Sequence, residues 1–93
     1  MVNVLLINPE DNVVVALADL PVGTELAASD ALPQVKISDP IPFGNKVAIF
    51  PIAAGGSVIK YGASIGLAVS EIKPGQHVHV HNLRSVRGAA KHG

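Results

Sequence analysis

The chain has 93 residues, enough for one small domain. Its composition is 48% hydrophobic but only 3% aromatic, so a core must be built from Val, Ile, Leu and Ala. Seven basic residues balance seven acidic ones, which leaves no basic field for a phosphate backbone, and the absence of cysteine excludes disulfides and thiolate metal sites.

Nine glycines and seven prolines punctuate the sequence every few residues, with β-branched runs between them. That pattern predicts many short strands rather than helices. In chain order the strands are expected at Val2–Ile7, Val13–Leu17, Val35–Ile37, Lys46–Phe50, Ser57–Lys60, Ile65–Val69 and His77–His81. Pro9-Glu10-Asp11-Asn12 reads as a turn, and Ala27–Leu32 could hold a single helical turn. One spacing recurs three times: Leu20-x-x-Gly23-x-x-Leu26, Ile52-x-x-Gly55-x-x-Val58 and Ile72-x-x-Gly75-x-x-Val78. An apolar anchor, a glycine able to take positive φ and a second apolar residue describe a tight reversal, so the strands should be short and sharply bent. Tyr61-Gly62 and Ile65-Gly66 mark two further bends or close approaches. The domain is expected over residues 1–83, followed by a polar tail at 84–93 that holds the basic cluster Arg84, Arg87 and Lys91. No stretch approaches the roughly 20 apolar residues of a membrane span. The start, Met1-Val2-Asn3-Val4, has no basic leader, and the expected location is the cytoplasm.

The chemistry concentrates in His77-Val78-His79-Val80-His81-Asn82. On an extended strand His77, His79 and His81 would share one face, with Val78 and Val80 backing them on the other. Neighbouring histidines of such a row lie about 6.6–7 Å apart at Cα, close enough for two rings to hold one ion. The outer pair would be about 13 Å apart, so all three could not converge on one metal unless the strand bends sharply. A His-x-His pair, His77/His79 or His79/His81, is therefore the candidate metal site, and the remaining histidine is free for proton transfer. The carboxylates Asp11, Asp19, Asp30, Asp39 and Glu71 are scattered beside turn residues, so missing ligands would come from another chain. Asn45 and Lys46, after Pro42-Phe43-Gly44, are candidates for orienting or binding an anion at a site rim, and Lys60 for binding a carboxylate. No nucleophile motif, phosphate loop or dinucleotide fingerprint is present.

Ile41-Pro42-Phe43-Gly44-Asn45-Lys46-Val47-Ala48, Val58-Ile59-Lys60-Tyr61-Gly62-x-x-Ile65-Gly66 and Pro74-Gly75-Gln76-His77-Val78-His79-Val80-His81-Asn82, in this order, resemble the SAF-type domain of the altronate/galactarate dehydratase family. The resemblance implies a mostly β, β-clip fold of strongly bent strands. It also implies the small part of a lyase whose large part, on the same or a separate chain, carries most of the active site. The implied chemistry is loss of water from a sugar acid or related hydroxy acid, or of sulfite from sulfolactate in the branch that resembles sulfolactate sulfo-lyase small subunits. The implied cofactor is iron or another divalent metal. Lys46, His77, His79, His81 and Asn82 carry over as candidates. The three histidines are expected to be catalytic, with His79 and His81 as metal ligands, and Asn45, Lys46, Lys60 and Asn82 as substrate-binding residues. The family usually has Gly-His-Lys where this chain has Gly44-Asn45-Lys46, and Asn can hydrogen-bond but not transfer protons. The expected partners are the large catalytic subunit and the hydroxy acid, with no nucleic acid or membrane; self-association into a homo-oligomer is compatible with the sequence. The rival reading is a non-catalytic lid or binding module that closes over a partner's site.

Overall fold

The computed structural model describes residues 2–29 and 31–85. Among the described residues seven strands form two antiparallel sheets. The first sheet has the order β1-β2-β3-β6, with β1 at Val4–Leu5, β2 at Val13–Ala16, β3 at Lys46–Ala48 and β6 at His77–Val78. The second has the order β4-β5-β7, with β4 at Ser57–Lys60, β5 at Ala63–Ala68 and β7 at Leu83–Arg84. The mostly β class expected from the sequence is what the molecule adopts, and the described residues contain no helix.

The central pair β2–β3 is buried on both faces, and its side-chain alternation serves two cores. Val14, Ala16, Val47 and Ile49 enter one, with Val4, Leu20, Val35, Ile37 and Ile41. Val13 and Ala48 point the other way and enter the second, with Ile52, Val58, Ala68, Ile72 and Val78. A run such as Val13-Val14-Val15-Ala16 has no polar face because this ribbon has little solvent side. Neither core contains an aromatic ring: Phe43, Phe50 and Tyr61 are all exposed.

The recurring reversal occurs four times among the described residues, not three. Pro21–Thr24, Pro42–Asn45, Ala53–Gly56 and Lys73–Gln76 are each closed by a hydrogen bond from the fourth N–H to the first carbonyl. Each has a glycine in third place with φ between +81° and +94°, as a type II turn demands. Each of these glycines also donates its N–H outward, to Ile37, Ala16, Ala68 and Ala48 respectively. The apolar anchors before the turns pair with one another, Leu20 with Ile41 and Ile52 with Ile72. The fourth copy, Ile41-Pro42-Phe43-Gly44-Asn45-Lys46-Val47, has the same spacing and is the partner that completes the first pair.

Several expected elements change. The first strand shortens to Val4–Leu5, and Val35–Ile37 contributes only an isolated bridge between Glu25 and Lys36. No helical turn appears among the described residues of the Ala27–Leu32 stretch, where the Ala27 N–H and carbonyl both bond to Asn3. The strand expected over His77–His81 ends at Val78. Arg84, assigned to the tail by the sequence, pairs with Leu67 in β7, while Arg87 and Lys91 lie outside the described residues.

The β4–β5 hairpin turns through Tyr61 and Gly62, with φ of 61° and 74°. Two consecutive positive φ values make the tight two-residue turn that matches strand twist, at a cost for a non-glycine residue such as Tyr61. The buried carboxylate of Asp11 holds that tip. Its oxygens accept the N–H groups of Tyr61 at 3.1 Å, Gly62 at 2.8 Å and Asn8 at 3.1 Å. The next residue, Asn12, runs along β4, donating Nδ2 to the Ser57 carbonyl and accepting the Ile59 N–H. Asp11→Ala leaves three N–H groups without their acceptor. It should lower stability by about 3–5 kcal/mol in urea unfolding, while Asp11→Asn, which keeps one acceptor oxygen, should lose less.

Candidate functional site

The three histidines gather, but not as a flat row. After Val78 the chain enters a turn over residues 79–82, closed by the Asn82 N–H on the His79 carbonyl at 3.0 Å. The turn swings His81 back, so the ring centroids of His77 and His81 are 5.5 Å apart, and those of His77 and His79 are 5.3 Å apart at an interplanar angle of 65°. This is the sharp bend without which the outer pair could not meet. The bend also corrects one detail of the row: Val78 is buried as expected, but Val80, at the turn's apex, is 82% exposed and backs nothing.

Asn82 makes the turn. Its side chain is buried, with Oδ1 accepting the His79 N–H at 2.9 Å and Nδ2 donating to the His77 carbonyl at 2.8 Å. Both ends of the amide are thus committed to the backbone that carries the rings. Asp39 holds the start of the same segment, its Oδ2 accepting the His77 N–H at 3.1 Å. The sequence marked Asp39 only as a turn residue; nothing local announces a contact across 38 positions.

Asn45 and Lys46 stand beside the rings because β3 pairs with β6, which sets Lys46 opposite Val78 and Val47 opposite His77. Asn45 Oδ1 lies 2.9 Å from His77 Nε2. Burial, then the neighbouring His79 and His81, lower the His77 pKa below the ordinary value; Lys46 adds to this and Asp39 opposes it. Among the described residues neither the His79 nor the His81 ring makes a hydrogen bond, so both keep a nitrogen lone pair available.

The Lys46 ammonium is half-buried and its pKa is lowered, first by burial and then by Lys60. No carboxylate among the described residues pairs with it. Lys60 in turn sits over the Tyr61 ring, its Nζ 4.9 Å from the centroid. The hairpin tip held by Asp11 therefore brings a second cation to the first. Of the residues singled out from the sequence, His77, His79, His81, Asn45 and Lys46 form one cluster, Lys60 reaches it electrostatically, and Asn82 lies beneath it. Among the described residues no group of three or more His, Cys, Asp or Glu side chains is set to hold a metal ion.

Exposed apolar surface lies nearby. Phe43, 65% exposed, belongs to the same turn as Asn45 and donates its N–H to Asp19. Asp19, Leu20, Pro21, Pro40, Ile41 and Pro42 line an open, mostly apolar depression of about 520 Å³. No helix among the described residues is long and apolar enough to cross a membrane.

Two outcomes test this arrangement. Asn82→Ala should cost about 2–3 kcal/mol in urea unfolding and draw the His77, His79 and His81 ring signals in NMR spectra together toward those of unfolded histidine, since it strips two backbone groups of their partners. Because the folded Lys46 pKa is below 10.5, the unfolded chain binds that proton more tightly, and stability rises with pH between the two values. Lys46→Met should then raise the unfolding free energy measured in urea at pH 7 by less than about 1 kcal/mol, with the gain shrinking at pH 10.

Comparison with known proteins places the cluster in context. The altronate dehydratase of Escherichia coli (strain K12) is 47% identical over 75 residues, which is 81% of this chain and 15% of that protein. The altronate dehydratase of Bacillus subtilis (strain 168) is 38% identical over 79 residues, 85% of this chain and 16% of that protein. The (2R)-sulfolactate sulfo-lyase subunit alpha of Chromohalobacter salexigens is 46% identical over 54 residues, 58% of this chain and 57% of that subunit. The chain thus spans about one sixth of the length of the dehydratases it matches. With the model of the altronate/galactarate dehydratase SAF domain matched across residues 2–86, the chain belongs to that family.

Proposed function

We propose that this chain is the small, SAF-type part of a carbon–oxygen lyase that removes water from a sugar acid or a related hydroxy acid, and that it acts only with a large catalytic partner. The observation that carries this reading is the meeting of three imidazoles with Lys46, a half-buried ammonium that has no carboxylate of its own. An unpaired, partly desolvated cation is costly unless an anion arrives, and a substrate carboxylate would supply it. Lys46 and Lys60 would bind that carboxylate, and Asn45 retains amide hydrogen-bonding capacity beside them. A histidine of the cluster would move the proton. Asn82 serves by holding the histidine turn in shape.

A divalent metal fits this chain as an incomplete set. His79 and His81 have uncommitted ring nitrogens and would hold it, with the remaining ligands from the partner. Such an ion would act as a Lewis acid on the departing hydroxyl. The apolar depression and the exposed Phe43 and Val80 offer the partner a surface next to the site.

Similarity to sulfolactate sulfo-lyase alpha subunits supports a second reading, in which sulfite leaves instead of water. The cluster's lack of a complete ligand set supports a third, a lid over chemistry made wholly by the partner. Combining the chain with its large partner and assaying loss of water or sulfite from hydroxy acids tests the first two; full turnover by the large chain alone would overturn both. The double variant His79→Ala/His81→Ala separates them from the third. A ligand-supplying subunit should lose turnover by about 100-fold or more and lose bound metal, whereas a lid should keep its metal and weaken only substrate affinity.

A further inference from the structure

We infer that Asn45 is a positioning residue that fixes His77 as the Nε2–H tautomer and so leaves Nδ1 as the nitrogen that takes the substrate proton. The direction of the Asn45 amide decides the tautomer. Its Nδ2 donates to the Phe43 carbonyl at 3.3 Å, which turns Oδ1 toward His77. An amide oxygen only accepts, so the His77 Nε2 that lies 2.9 Å from it carries the hydrogen. Rotating the amide would set two carbonyl oxygens against each other at Phe43.

Both partners are anchored independently of this bond. Asn45 follows the positive-φ Gly44, donates its N–H to Pro42 and accepts that of Ala16. His77 is held at its N–H by Asp39 and at its carbonyl by Asn82. The contact between the two side chains therefore joins fixed points. His79 and His81 have no such partner among the described residues. One histidine of the three is given a defined tautomer, and the residue next to the carboxylate-binding Lys46 gives it.

In the elimination, the C–H bond beside the carboxylate breaks and its proton passes to Nδ1. The electron pair forms the new C=C bond as the neighbouring C–O pair departs with hydroxide, which takes the proton back as it leaves as water. Throughout, Nε2–H stays on Asn45 Oδ1, which stabilises the transient imidazolium. That role presupposes the lyase reading above; the tautomer does not.

Nitrogen-15 NMR of the metal-free full chain at pH 8 reads the tautomer directly, because protonated and lone-pair ring nitrogens resonate far apart. The expected result is a protonated Nε2 and a bare Nδ1 at His77. Asn45→Leu should give a mixture of tautomers, and Asn45→Asp, whose carboxylate also accepts, should restore the native signature. In the complex with the large partner, Asn45→Leu should lower kcat by about 10- to 100-fold with little change in KM. A protonated Nδ1 in the native chain, or an Asn45→Leu spectrum identical to the native one, would overturn the assignment. An altered tautomer with unchanged kcat would overturn the proton-accepting role. A native complex without lyase activity would instead defeat the functional reading, and the spectra of the chain alone would still decide the tautomer.

Discussion

The carboxylate of Asp11 is withdrawn from water and receives three backbone N–H groups, one from its own turn and two from a hairpin tip about 50 positions away. Without that acceptor, Tyr61 would have no reason to remain in a left-handed conformation that β-branched and bulky residues avoid. The hairpin tip carries Lys60, so the placement of the second cation follows from the burial of one anion. The two charges sit in different environments: the anion is held by three peptide N–H groups, while the Lys60 ammonium lies over the tyrosine ring. Such a division lets a small domain afford a cationic site without a neutralising carboxylate inside it.

The histidine cluster is built on the same plan. Asn82 and Asp39 spend their side chains on the main chain of residues 77–79 and leave the rings to other contacts, such as that of His77 with Asn45. In both places a short polar side chain grips backbone so that a longer neighbour can project. Main-chain anchoring suits a domain whose cores are built from small aliphatic side chains, because it fixes position without needing bulk around the site.

Much of the fold is legible in the residues. In the recurring pattern of apolar anchor, glycine and second apolar residue, the glycine takes the positive φ that closes the turn, and those turns appear where the spacing sets them. The alternation in β2 and β3 is readable as burial, though not as burial in two separate cores. The spacing of the histidines is legible, and they do share a site. The reason differs from simple strand periodicity: an asparagine that follows them bends the chain, and the bend, not the pleat, brings His81 to His77. Some strands end before their β-branched runs do, the first at Leu5 and the histidine strand at Val78, while β4 keeps its expected bounds. β-Branched propensity extends past the point where a side chain captures the backbone. Contacts such as Asp11 to Gly62 and Asp39 to His77 leave no local mark, since an aspartate beside a turn looks the same whether its partner is three residues away or fifty.

Tyr61 has one more consequence. It is the sole tyrosine, and the chain has no tryptophan. Excited at wavelengths that phenylalanine does not absorb, the chain therefore emits only from a ring on the hairpin tip, 64% exposed, with a lysine ammonium against its face. The aliphatic interior is optically silent. Intrinsic fluorescence of this molecule consequently reports what arrives at the cationic rim, and a probe blind to that event, such as far-ultraviolet dichroism, is needed to follow loss of the β structure.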